Sequence, residues 1–159
     1  MIKKTLNLSF IFILLFISGC GYKPLLIGSD YDFSIKVENN SGNTDINSKI
    51  ENKLKTLNGI KKTFKVDLYS NETKNILSKD SKGDPTILEI VINLNYKIVE
   101  ESKVLVNRSL TQRSTYNNIT DKFELSRSEE IIRENLIENL TSDIINSASN
   151  IINPMINDN

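Results

Sequence analysis

The chain carries one thiol and no imidazole: Cys20 is the only cysteine in 159 residues, and histidine is absent. Without histidine, Ser-His-Asp and Cys-His catalysis, histidine zinc sites and the commonest general base are excluded. The carboxylate pairs Glu100-Glu101 and Glu129-Glu130 are what remains for acid–base work. Adjacent residues do not face each other on a helix and point to opposite faces of a strand, so both pairs read as solvated charge. Gly42, Gly59 and Gly83 are isolated, and no glycine-rich phosphate loop is formed. Neither an enzyme nor a cofactor is expected, and the chemistry concentrates on Cys20.

Lys3 and Lys4 precede 12 largely apolar residues, 6–17, and then small ones. A bilayer-spanning helix needs roughly 20 apolar residues, so the run is short for a permanent anchor. A basic start, an apolar core of about 7–15 residues and a small-residue end describe a secretory signal peptide. Its last residues, Ile17-Ser18-Gly19-Cys20, resemble the bacterial lipobox. That resemblance implies cleavage between Gly19 and Cys20, a diacylglycerol on the Cys20 sulfur, and a fatty acyl chain such as palmitate on the new amino group. Each buried methylene contributes about 0.8 kcal/mol and one chain holds only marginally, so several chains make a stable anchor. By resemblance to sorted lipoproteins, Gly21 in place of an aspartate favours the outer membrane, with the protein on its periplasmic side.

Removing residues 1–19 leaves 140 residues with 18 basic and 20 acidic side chains. That is one domain by size, and its near-neutral charge gives no nucleic-acid surface. The expected division is a signal peptide over 1–19, a lipidated tether over 20–30, one domain over 31–150 and a tail over 151–159. Extended, the tether reaches roughly 35 Å from the lipid.

The elements follow from periodicity. Tyr31, Phe33, Ile35 and Val37 alternate with polar residues and predict a strand that Asn39-Asn40-Ser41-Gly42 ends. Ile46, Ile50, Leu54 and Leu57 recur at helical spacing after the candidate cap Thr44. Phe64, Val66 and Leu68 predict a second strand over 62–70, followed by a polar loop over 71–85. Leu88, Ile90, Ile92, Leu94, Tyr96 and Ile98 give a long third strand, and Val106, Leu110 and Tyr116 mark a weaker fourth over 104–119. Both apolar sets are even-numbered, so facing them requires an even register sum, such as 204, which pairs Leu94 with Leu110. The four-residue link Glu100-Glu101-Ser102-Lys103 has the wrong parity, so a three- or five-residue turn or a β-bulge is expected. A last helix starts at the capping-box spacing Ser126-x-x-Glu129 and carries Ile132, Leu136, Ile137, Leu140, Ile144, Ile145 and Ala148 on one stripe. The sum is an α+β fold, β-α-β-β-β-α, with two helices packed on one face of a four-stranded sheet.

Cys20-Gly21-Tyr22-Lys23-Pro24-Leu25 resembles the start, Cys-Gly-(Phe/Tyr)-x-(Pro/Leu)-Leu, of the LPS-assembly outer-membrane lipoprotein family (LptE-like). Asp121-Lys122-Phe123-Glu124 resembles the short Asp-x-Phe-Ala segment before that family's last helix, and Arg133 resembles an arginine common in it, although Glu134 and Asn135 replace the usual alanines. The resemblance implies a non-enzymatic lipoprotein that plugs and helps assemble the outer-membrane β-barrel (LptD-like) delivering lipopolysaccharide to the outer leaflet. Its partners would be that barrel, lipopolysaccharide and the membrane lipid around acylated Cys20. Lys97, Lys103, Arg108 and Arg113 of the long hairpin are candidate contacts to the glycolipid or the barrel; the alternative is that they only solubilise the sheet. A periplasmic pilot lipoprotein of another envelope complex, such as a secretion pore, would share the leader and a small α/β domain.

Overall fold

The computed structural model describes residues 31–152. Its elements are β1 (Phe33–Gly42), α1 (Thr44–Leu54), β2 (Lys62–Lys79), β3 (Pro85–Glu100), β4 (Lys103–Asn117) and α2 (Lys122–Ile152). The sheet order is β1-β2-β3-β4. β1 runs parallel to β2 across the α1 crossover, and the other neighbours are antiparallel. The expected β-α-β-β-β-α order and mixed α+β fold are therefore observed.

One sheet face is apolar. Phe33 and Ile35 of β1, Phe64, Val66 and Leu68 of β2, and Ile90, Ile92, Leu94, Tyr96 and Ile98 of β3 are all buried there. They form one cluster with Ile46, Ile50 and Leu54 of α1 and Leu136, Ile137, Leu140, Ile144, Ile145 and Ala148 of α2. Both helices thus cover the same face, as the stripe in α2 requires. Inside the cluster, Tyr96 Oη and Ser147 Oγ share a hydrogen bond of 2.8 Å, which satisfies the only hydroxyl that β3 buries there.

The ends of the elements differ from expectation in four places. Asn43, in extended conformation, caps α1; its Oδ1 accepts from the Asp45 and Ile46 N–H groups at 3.1 and 3.2 Å, and Thr44 is the first helical residue. The preceding residues do not end β1, which pairs with β2 as far as Gly42 opposite Ser70, past a bulge between Val37 and Asn39. α2 begins at Lys122, one turn before Ser126. Asp121 Oδ1 accepts from the N–H groups of Phe123 (2.9 Å) and Glu124 (3.2 Å), so the aspartate of the Asp121-Lys122-Phe123-Glu124 segment is the real cap and Ser126 lies inside the helix. The largest correction is β2. Residues 71–79, expected to be loop, continue the strand, with Glu72 opposite Ile92 and Lys74 opposite Ile90. Glu72 and Lys74 are polar on the helix side because α2 meets them with Arg133 and Glu129.

The β3–β4 hairpin resolves the parity conflict by a bulge. Glu100 pairs with Lys103 around Glu101 and Ser102, whose φ angles of 45° and 73° suit a tight two-residue turn. Ile98 then pairs with Val106 and Val99 with Val104, leaving Leu105 extra. Beyond it the pairs are those of the sum 204, Leu94 with Leu110 and Leu88 with Tyr116.

Gly42 fixes the corner between β1 and α1. Its φ is +88°, and a Cβ there would sit 2.0 Å from the Ser70 carbonyl oxygen. Beside it Asn47 Nδ2 donates to the Ser41 carbonyl (2.8 Å), and the buried Ser70 hydroxyl donates to Asn47 Oδ1 (2.8 Å). The crossover is thus tied to both strands that it joins.

Candidate functional site

The four cations singled out in the hairpin are all exposed, but they do not converge. Lys97, between Asp67 and Asn107, and Arg113, opposite Val91, lie on the face away from the helices. Arg108 is opposite Tyr96 on the helix side, and Lys103 closes the turn against Glu100. Six residues separate the rows of Lys97 and Arg113, about 20 Å along a strand. Cys20 and Gly19 lie outside the described residues.

The charges that do converge are different ones, gathered where α1, α2 and the second half of β2 meet. Arg133 holds Glu72 with two bonds, Nε to Oε2 at 2.8 Å and Nη2 to Oε1 at 3.1 Å, and Nη1 reaches Glu130 at 2.7 Å. Lys49 of α1 binds Glu130 and, at 2.7 Å, Glu134. Lys74 binds Glu129, which also accepts from the Tyr116 hydroxyl at 2.7 Å. Hydrogen bonds to Glu72 hold the Arg133 pKa above its ordinary value against the opposing effect of burial. The hydrogen bond from Lys49 leads in keeping the Glu130 carboxyl low. Burial pushes the Glu129 carboxyl up, but the bonds from Lys74 and Tyr116 outweigh it and leave it low. Burial, then the bond to Glu129, raises the Tyr116 phenol. Burial likewise opposes the charge on Lys49, and its bonds to Glu130 and Glu134 prevail and raise its pKa.

Each group in this cluster is neutralised by a partner, so none is poised as a free acid, base or nucleophile. The arrangement is a clamp that joins helix to sheet where α2 offers no buried apolar side chain, before Leu136. Of its members Arg133, Tyr116 and the pair Glu129-Glu130 stand out in the sequence. The pair is not merely solvated charge as expected: the Glu129 side chain is only 16% exposed and bonded to Lys74 and Tyr116, because α2 faces the strand there. Glu72 and Lys74, two apart and so on one strand face, are the signal that could have found the rest.

The face away from the helices is polar throughout its centre. One row across the sheet is Asn39, Asp67, Lys97 and Asn107, and the next is Ser41, Tyr69, Asn95 and Ser109. These rows border a shallow depression of about 220 Å³. Asn39 donates to Asp67 across it at 2.7 Å. Tyr69 is 46% exposed there. A second, wider hollow of about 560 Å³ lies where β1 begins, lined by Lys36, Lys61, Lys62, Lys65, Glu100 and Glu101. Lys62 pairs with Glu100 there at 2.9 Å. No trio of Cys, Asp or Glu side chains able to hold a metal occurs among the described residues. No helix among them is long and apolar enough to cross a membrane.

A mixed four-stranded sheet backed by two helices in this order is also the fold of several solved bacterial lipoproteins. The chain is similar to the rare lipoprotein B of Shewanella oneidensis, with a TM-score of 0.56 and 14% identity over 76% of this chain and 96% of that one. It is similar to an uncharacterized lipoprotein B of Nitrosomonas europaea, at 0.58 and 14% over 84% and 93%. A minor lipoprotein of Acinetobacter baumannii matches at 0.51 and 16% over 74% and 90%. At these identities the likeness is one of fold. No protein-family model matches the chain, and no curated protein matches it.

Proposed function

We propose that this chain is an outer-membrane lipoprotein, anchored through Cys20 on the periplasmic side, that plugs and helps assemble the β-barrel delivering lipopolysaccharide to the outer leaflet. The observation that carries the reading is a conjunction: a leader ending in Ile17-Ser18-Gly19-Cys20 precedes a domain that shares its fold with bacterial lipoproteins over nearly their whole length. Neither half would suffice alone. The signal peptide over 1–19, the tether over 20–30 and the single domain after it belong to the same proposal.

The described surface suits the role. The lumen of a transmembrane barrel is polar, and the central rows of the uncovered sheet face present Asn, Ser, Asp, Lys and one Tyr. The clamp and the core join both helices to the sheet, which suits a plug. The first described residues adjoin the β3–β4 turn, since Phe33 opposes Lys62 and Lys62 reaches Glu100. A lipid anchor at Cys20 would therefore reach the domain at that end. Lys97, Lys103, Arg108 and Arg113 remain the candidate contacts for anionic glycolipid or barrel. The role is non-enzymatic.

Two measurements test this reading. Wild-type protein labelled in cells with a radioactive fatty acid should carry the label, and Cys20→Ala should not. Depletion of the protein should reduce the newly made lipopolysaccharide that appears on the cell surface. Labelling of the alanine variant, or unchanged surface lipopolysaccharide after depletion, would end it. Loss of a secretion pore instead would favour the pilot lipoprotein.

A further inference from the structure

The sheet ends at β4 in a long free edge. β4 pairs with β3 on one side and is last in the sheet order. From Val106 to Asn117 its pairing is unbroken for 12 residues. An edge strand directs the N–H and C=O of every second residue outwards, unpaired. Proteins blunt such edges with charged side chains, prolines, bulges or short strands, and of these β4 carries only the charges over that stretch. β4 contains no proline, and its one bulge sits beside the turn. The other edge, β1, is ten residues long and broken by a bulge at its middle. Asn107, Arg108, Ser109, Thr111, Arg113 and Thr115 are exposed along β4, while α2 packs on its helix-side face, where Tyr116 is buried and bonds Glu129.

The charge along this edge has one sign. The strand Lys103–Asn117 holds Lys103, Arg108 and Arg113 and no Asp or Glu. None of the three forms an ion pair among the described residues, which leaves their charge unneutralised along the edge. Arg108 and Arg113 differ in parity and so flank the edge from opposite faces. Two copies of β4 laid edge to edge would bring these cations together, and like charges on adjacent strands are destabilising.

We propose that β4 is a docking edge for an extended, acidic segment of a partner protein, which joins the sheet as a fifth strand. Main-chain bonds would supply the binding and the flanking cations the selectivity, as in other cases of strand addition. The inference does not depend on which envelope complex the chain serves.

The test uses the full-length acylated protein in detergent micelles and three ten-residue peptides. One alternates Val and Thr with three Glu, the second carries Lys at those positions, and the third is the Glu peptide with a central proline. The Glu peptide should bind at least about tenfold more tightly than the other two. It should also slow amide exchange at alternate residues of 106–117, leaving β1 unchanged. The double variant Arg108→Glu/Arg113→Glu, its melting unchanged, should reverse the preference between Glu and Lys peptides. Equal affinity for the three peptides would overturn the proposal and leave the cations as guards of the edge. Binding without protection of β4, or protection that grows with protein concentration and no peptide, would also overturn it.

Discussion

Replacing Arg133 with alanine removes three charge-assisted hydrogen bonds at once, two to Glu72 and one to Glu130. The side chains of Arg133 and Glu72 are 16% and 13% exposed, so the substitution leaves a carboxylate nearly buried and unpaired. Breaking a buried pair from one side costs about 3–5 kcal/mol. Partial access of water lowers the expected loss to about 2–4 kcal/mol, since Glu130 is half exposed and contributes little. For a domain of this size that lowers Tm by about 8–15 °C. Glu72→Ala should cost less, because the freed guanidinium keeps Glu130, and the double variant should lose about 1–3 kcal/mol less than the sum of the single losses. Arg133→Lys should recover only part of the loss, because an ammonium cannot make the two-pronged contact. Urea unfolding followed by circular dichroism measures all four. Strict additivity of Arg133→Ala and Glu72→Ala, within about 0.5 kcal/mol, would refute the clamp as the link between α2 and β2.

Leu140 is fully buried under the sheet, so Leu140→Asp should cost several kcal/mol and unfold much of the domain, while the exposed Asn139→Asp should melt like wild type; equal melts for the two would misplace the helix stripe. Gly42→Ala should destabilise by at least about 2 kcal/mol, through its positive φ and the clash with the Ser70 carbonyl, and a neutral thermal melt would contradict the corner. Stability should also depend on pH at both ends. Glu129 and Glu130 have folded pKa values below the unfolded value of about 4.3, so their contribution is present above it and lost as pH falls further. Tyr116 has a raised folded pKa, so its contribution is complete below the unfolded value of about 10 and is lost as pH rises through the folded one. Unfolding titrations from pH 3 to 11 should show a plateau between these limits, and Glu129→Gln/Glu130→Gln should flatten the acid limb. An acid limb of unchanged slope in that variant would contradict the assignment.

Where one face of an element is apolar and the other is not, this chain is legible from its sequence. The even-numbered apolar residues of β3 and β4 contain the register itself, and even the need for a bulge, because a slip by one would turn Leu110 and Tyr116 away from the core. The same rule fails for residues 71–79. There the strand buries Glu72 and presents Lys74 to charged residues of α2, so the pattern carries no hydrophobic alternation although the backbone pairs regularly. Spacing alone misplaces the helix caps, by one residue at Thr44 and by five at Ser126, because Asn43 and Asp121 offer equally good side-chain acceptors just upstream. The clamp is hidden for a deeper reason: its members come from α1, β2, β4 and α2, and only tertiary packing brings them together. The four hairpin cations are exposed. Their dispersal over two faces and a turn follows from alternation along the strands, which places odd and even positions on opposite sides.

The identity of the membrane partner decides whether this chain plugs a lipopolysaccharide-assembly barrel. The full-length protein, tagged at its C-terminus and expressed at its natural level, would be purified from detergent-solubilised membranes, and the proteins present in stoichiometric amount identified by mass spectrometry. One large outer-membrane β-barrel of the lipopolysaccharide-assembly kind is expected, with lipopolysaccharide accompanying the complex. Recovery of the lipoprotein alone, or with a secretin ring in place of that barrel, would contradict it.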